Sequence, residues 1–191
     1  MKLKNLFILA ISAIVFASCG SKTNESKNEV VEKVSSALSV DDLLLNADSL
    51  ANEEILFEGI CTHTCKHGAT KIFLMGSDDT KTIRVEAASL GSFDQKCINS
   101  IVSIRGILRE ERVDEAYLQR WEAASAVQSE QHGETEAGCD TEKAARGETG
   151  NSVAERIADF RAKIAARKEA SGKEYLSFYY VEALAYEILE Q

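Results

Sequence analysis

The chain of 191 residues contains no proline, where an average sequence holds about 5%, so its tight turns depend on Gly, Asn and Asp. Histidine and cysteine are scarce, at 3 and 5 residues, which leaves metal or thiol chemistry few side chains to draw on. Basic residues are outnumbered, 22 Lys and Arg against 31 Asp and Glu. Phosphate backbones and anionic membrane surfaces are held through basic patches and counterion release, so nonspecific nucleic-acid binding is disfavoured. G-x-S-x-G, a phosphate-cradling glycine loop and H-E-x-x-H are all missing, and the expectation is a protein without catalytic turnover. The spacing Cys-x-x-Cys-His for haem attachment is absent too. Cys61 and Cys65 have three residues between them and no βαβ context, which disfavours a thioredoxin-like pair.

No apolar run is long enough to span a bilayer. The run from Leu6 to Phe16 follows Lys2 and Lys4 and leads to Ala17, Ser18 and Cys19, which suits the core of a secretory signal. The small pair before a cysteine resembles the lipobox of bacterial lipoproteins, with Phe16 where that motif usually has leucine. The resemblance implies cleavage before Cys19, lipid on its sulfur, and a membrane-anchored place in the cell envelope, facing the periplasm or at the cell surface. A plain signal peptide would export the chain as well. Loss of residues 1–18 removes two lysines and no acid, moving the net charge from -9 to -11. The remaining length suits one core of ordinary size.

Residues 19–38 are polar and charged and read as a flexible tether, leaving 39–191 as the folded domain. Ser39 before Val40-Asp41-Asp42 opens a short helix that should end near Ala51-Asn52. Then the period changes. ILFEGICTHT, KIFLMG, TIRVEA and IVSIRGILRE alternate apolar and polar residues, as Ile83 and Val85 do against Arg84, which predicts antiparallel strands with one wet face. The segment SLGSFDQKCINS between the third and fourth has room for a helical turn or two. After Val113 the spacing turns helical in DEAYLQRWEAASAVQSEQ, and Ser152 with Glu155 forms a capping-box signature opening VAERIADFRAKIAARKEA, with Gly172 just past its end. The stretch between these helices, HGETEAGCDTEKAARGETGN, is too polar and glycine-rich to predict an element. KEYLSFYYVEALAYEIL reads as a fifth strand.

Three strands, a short helix, a fourth strand and a fifth are the order of the OB-fold, a five-stranded Greek-key barrel. Here two helices, over about residues 114–172, would be inserted between strands 4 and 5. Gly59 falls where such barrels bend a long first strand. The segment EEILFEGICTHTCKHGATKIFLMGSDDTKTIRVEA resembles periplasmic bacterial OB-fold proteins. With the lipobox, the chain is similar to uncharacterised OB-fold lipoproteins of Bacteroidota-type bacteria, over residues 40–113 and the last strand. That likeness implies a fold and a location and carries no activity.

The stretch CTHTCKHG concentrates Cys61, His63, Cys65 and His67. On a flat strand these four share one face at intervals of about 6.5 Å, too far apart for one tetrahedral ion, so the chain must turn near Lys66–Thr70 to bring two or three together. OB-folds bind ligands with the loops joining strands 1 to 2 and 4 to 5, and the second of these, here the insertion, carries His132 and Cys139. One expectation is therefore a metal site of His63, Cys65 and His67 with Cys139 or His132, suited to Zn²⁺ or Cu⁺. The alternatives are a Cys65–Cys139 disulfide fixing the insertion as a surface for a protein partner, in a structural or adaptor lipoprotein, and a thiol redox protein. Cys61 and Cys97 read as core residues. Glu110, Glu111, Asp114 and Glu115 read as surface or cap residues. OB barrels stack bases on rings such as those of Tyr175, Phe178, Tyr179 and Tyr180, a role that the acidic charge and the exported location disfavour here.

Overall fold

The computed structural model describes residues 36–65, 68–132 and 140–189, the last turns of one helix (127–132) and residue 140 by backbone alone. The expected lipidation at Cys19 and most of the tether lie outside these residues. Ser39 begins the first helix, α1 (Val40–Leu45), its Oγ accepting from the Asp42 N–H. The single helix expected here breaks at Asn46, whose backbone N–H and Nδ2 both donate to the Asp42 carbonyl, a local bond that competes with helix continuation. A second short helix, α2 (Ala47–Leu50), follows.

The strands are β1 (Leu38–Ser39), β2 (Glu54–Thr64), β3 (Lys71–Met75), β4 (Thr82–Glu86), β5 (Ile101–Val113) and β6 (Leu176–Leu189). β2 pairs antiparallel with β3, β3 with β4, and β5 with β6, while β4 and β6 run parallel. Pairing of β2 with β5 closes the ring. β2 serves both seams: Glu54–Ile60 pair with β5, and Ile60–Thr64 with β3. Gly59 stands at the handover, where an added Cβ would come 2.6 Å from Val40 Cγ2 of α1. The two-residue β1 lies parallel to β2 beside Phe57 and Glu58. Two 3₁₀ turns, at Ala88–Leu90 and Gln95–Cys97, occupy the link between β4 and β5. This is a five-stranded OB-fold barrel, with Phe57, Ile72, Leu74, Ile83, Ile104 and Val181 in its core alongside Val40 and Leu43.

Between β5 and β6 come α3 (Glu115–His132), α4 (Asp140–Ala145) and α5 (Val153–Ser171). The insertion therefore holds three helices where two were expected, α4 arising within the polar stretch set aside as irregular. The Ser152–Glu155 capping box is formed, and α5 ends at Gly172 with φ 74°. Val113, Leu118, Ile157 and Phe160 make a second, smaller core joining α3 and α5 to the end of the barrel. Among the described residues, no helix is long and apolar enough to cross a membrane.

Two bulges tune the barrel. One inserts Thr62 into β2, so that Cys61 pairs with Leu74 and His63 with Phe73. The other skips Leu184 in β6 opposite Arg105 and Gly106. A Cβ at Gly106 would meet the Glu182 carbonyl oxygen at 2.5 Å and Val181 Cγ1 at 2.6 Å. Gly106→Ala should therefore cost about 2–3 kcal/mol through overpacking at the seam, and Ser152→Ala about 1 kcal/mol through loss of the cap. Urea unfolding followed by circular dichroism measures both, and an unchanged midpoint for Gly106→Ala would show that the β5–β6 seam gives way without strain.

Candidate functional site

The Thr62 bulge changes which side chains share a face. Cys61 is buried in the barrel core, as is Cys97. Beyond the bulge it is Thr64 that is buried, while His63 and Cys65 are half-buried. The flat-strand expectation that Cys61, His63 and Cys65 share a face is thus corrected: one extra residue moves Cys61 to the opposite side from His63. Burial, with Cys97 nearby, pushes the Cys61 thiol up to about 11, and burial beside Asp94 raises Cys97. Neither is a thiolate at neutral pH, which fits core packing and opposes ligation or nucleophilic attack by these two.

On the outer face, register lines up a row of side chains across four strands. His63 of β2 is opposite Phe73 of β3, Phe73 is opposite Arg84 of β4, and Arg84 is opposite Tyr180 of β6. The rings of His63 and Phe73 are 5.9 Å apart, and the Arg84 guanidinium stacks 4.7 Å from the centre of the Tyr180 ring. Phe73 alternates with the core residues Ile72 and Leu74 and so points outward, yet it is only 1% exposed. The insertion accounts for this, because Phe73 lines a cavity with residues of α4.

Charge places α4 on this face. Glu142 accepts from Arg84 Nη1, and from Lys71 Nζ at 3.5 Å. Arg146, just past the helix, lies 4.7 Å from the Phe178 ring and 5.5 Å from the Phe160 ring. Glu111 lies between the two arginines, its Oε2 3.9 Å from Arg84 Nη2 and 3.6 Å from Arg146 Nη2. Glu148, whose side chain is 1% exposed, pairs with Arg156 and stands 3.7 Å from Arg146 Nε. The cavity between α4 and the barrel measures about 170 Å³; Arg84, Arg146, Glu111 and Glu142 stand in its wall beside Phe73 and Tyr180. The side chains of Arg84 and Arg146 are both 13% exposed. Among the described residues, Arg84 Nε, Arg146 Nε and Arg146 Nη2 are buried without a well-formed hydrogen bond, each facing only an ion-pair oxygen, Glu86 Oε1 at 3.3 Å, Glu148 Oε1 at 3.7 Å and Glu111 Oε2 at 3.6 Å respectively. Buried donors in a native fold rarely stay so, and a polar cavity offers the place for what satisfies them.

Of the residues expected to hold a metal, the structure places His63 and Cys65 on one side of the strand end, and Cys65 forms no disulfide among the described residues. His67, Cys139 and the side chain of His132 fall outside what is described, and so does the disulfide partner expected for Cys65. Among the described residues no three His, Cys, Asp or Glu side chains gather as a metal site. Sequence reasoning missed Arg84, Glu142 and Arg146. It read Glu111 as surface, whereas the insertion folds back over it. The spacing of Glu142 and Arg146, four apart in TEKAAR, is a helical ion-pair signal that could have drawn attention to α4. Asp114 does act as a cap, its Oδ1 accepting from the Tyr117 N–H at 2.7 Å. Of the four rings, Phe178 faces the insertion, Tyr180 carries Arg84, and Tyr179 donates to Asp48.

Burial of Glu142 favours its neutral form, but attraction to Arg84 and Lys71 and their hydrogen bonds outweigh it and hold the carboxyl below its ordinary value of 4.5. A carboxyl lowered in the folded state stabilises it fully above the unfolded value, and that contribution disappears as pH falls through the folded one. Amide exchange of residues 142–146, corrected for intrinsic rates, should be steady from neutral pH down to about 5 and faster as pH drops below 4.5. Glu142→Gln should exchange fast at both ends. If that variant is as protected as the parent at neutral pH, the ion pair does not hold α4 down.

Comparison with protein-family models, with curated proteins and with solved structures finds no match for the chain.

Proposed function

We propose that the protein is an exported, lipid-anchored binding module, without catalytic turnover, that takes its ligand between α4 and the outer face of β3, β4 and β6. The observation that carries this reading is the cavity of about 170 Å³ whose wall joins barrel and insertion and contains guanidinium donors that, among the described residues, make ion-pair contacts but no hydrogen bond. An OB-fold barrel is a common scaffold for binding on this surface. Lys2, Lys4, the apolar run and Ala17-Ser18-Cys19 support export and lipidation at Cys19.

A metal is the second reading. His63 and Cys65 are half-buried on the same side of the strand end, and an imidazole with a thiol suits Zn²⁺ or Cu⁺. His67, with Cys139 or His132, would complete such a set.

Native mass spectrometry of the full gene product, recovered from the envelope without added metal or chelator, tests both. The binding-module reading expects the mass of a chain beginning at Cys19 with its lipid, abolished by Cys19→Ser, together with a non-covalent organic adduct that Ala145→Trp removes by filling the cavity. A metal mass that a chelator strips, with Cys61, Cys65, Cys97 and Cys139 all open to alkylation once the stripped chain is denatured, would favour the second reading. An unlipidated chain with neither adduct would sink the proposal.

A further inference from the structure

The cavity under α4 has a chemical character that narrows its ligand, if the binding-module reading on which this inference rests holds. Its charged wall is balanced: the guanidiniums of Arg84 and Arg146 against the carboxylates of Glu111 and Glu142. A ligand anion would share the space with two carboxylates and a ligand cation with two guanidiniums, and neither finds a spare opposite charge. Uncompensated charge in a half-enclosed site is costly. The same wall offers donors of one kind and acceptors of the other, because guanidinium only donates and ionised carboxylate only accepts.

A hydroxyl group does both at once. It can accept from Arg146 or Arg84, whose buried Nε and Nη2 atoms include donors that reach a carboxylate only at 3.3 to 3.7 Å and make no hydrogen bond among the described residues, and donate to Glu111 or Glu142. Leu44 and Phe73 give the cavity an apolar side, which suits the C–H face of a saturated ring. An engineered cavity of about 150 Å³ accepts the flat ring of benzene, so this one can take the ring of a sugar while its outer hydroxyls project from the mouth. We propose that this cavity is a binding site for a neutral, polyhydroxylated ring, a single sugar residue, free or at the end of a chain, held by Arg84, Arg146, Glu111 and Glu142. Water could satisfy the same wall, at about 30 Å³ for each molecule, and the experiment must separate the two.

The test uses the full chain in a detergent without a sugar headgroup, titrated calorimetrically with neutral mono- and disaccharides of gluco, galacto, manno and N-acetyl types. The expected result is saturable binding of at least one of them, weakened tenfold or more by Arg84→Met and by Ala145→Trp and unchanged by Arg105→Met, an arginine paired with Glu54 elsewhere on the barrel. Ala145→Trp keeps every charged group and guards against a misfolded Arg84 variant. Absence of binding by the folded protein to every saccharide overturns the inference, as does binding that survives both substitutions. Should the saccharides fail while Ala145→Trp still removes a co-purifying organic adduct, the cavity is a ligand site of other chemistry and only the ligand class falls. Should both fail, the reading of this face as a binding surface falls with it.

Discussion

Closure of the barrel depends on one strand giving its backbone to two neighbours. The first half of β2 completes β5 and the second half completes β3, so the ring holds only if β2 bends where the partners change. Gly59 allows that bend, and the space left by its missing side chain is taken by Val40 of α1. The helix is thereby part of the barrel's interior rather than an appendage. Asp41 adds a second tie, accepting from both the N–H and the hydroxyl of Ser77 in the turn after β3. A chain without proline secures this turn with side-chain acceptors, since Asp78 likewise accepts from the Thr80 N–H at 2.8 Å.

The insertion is attached in two different ways. α3 and α5 bury apolar side chains against the barrel end, with Phe160 meeting Phe178 of β6 edge-on at 5.7 Å. α4 is six residues long and has little apolar surface to bury, so its position rests on Glu142 and the adjoining Arg146. Ion pairs removed from water stabilise a fold only when every donor and acceptor is satisfied. Arg146 falls short of that, with rings on two sides and carboxylates at 3.6 and 3.7 Å but no hydrogen bond from its Nε or Nη2. Places where a fold departs from full satisfaction are where function is expected to be met, and the rest of the barrel shows no comparable defect among its described side chains.

Most of the barrel could be read from the sequence because its elements carry their own signals. The alternation of Ile83 and Val85 with Arg84, the mid-strand Gly59 and the Ser152–Glu155 box each report a local cause with a local effect. Two features lacked such a signal. The Thr62 bulge involves no glycine or other punctuating residue, and its consequence, turning His63 outward while Cys61 stays inward with Ile55 and Phe57 as alternation predicts, reverses the placement of His63 and not of Cys61. α4 had only the faint i, i+4 signal of Glu142 and Arg146, and its placement was hidden for a different reason. Its helix is held by Arg84 and Lys71, 58 and 71 residues away from Glu142 in the chain, and a periodicity argument sees no such distance. Glu111 was misjudged on the same account, since a carboxylate at a strand end reads as solvent-facing until something folds over it.

The cluster that stands out in the sequence and the cavity that stands out in the structure belong to one surface. His63 heads the row that continues through Phe73 and Arg84 to Tyr180. Neighbouring strands lie about 4.8 Å apart, so the whole row spans about 15 Å. Phe73 is the shared member, touching the His63 ring on one flank and lining the cavity on the other. Its burial means that neither end can be rearranged without disturbing a packed aromatic ring, and packed contacts of this kind resist gradual deformation. Displacing the Phe73 ring would therefore disturb the packing against His63 on one side and the cavity wall beside Arg84 on the other.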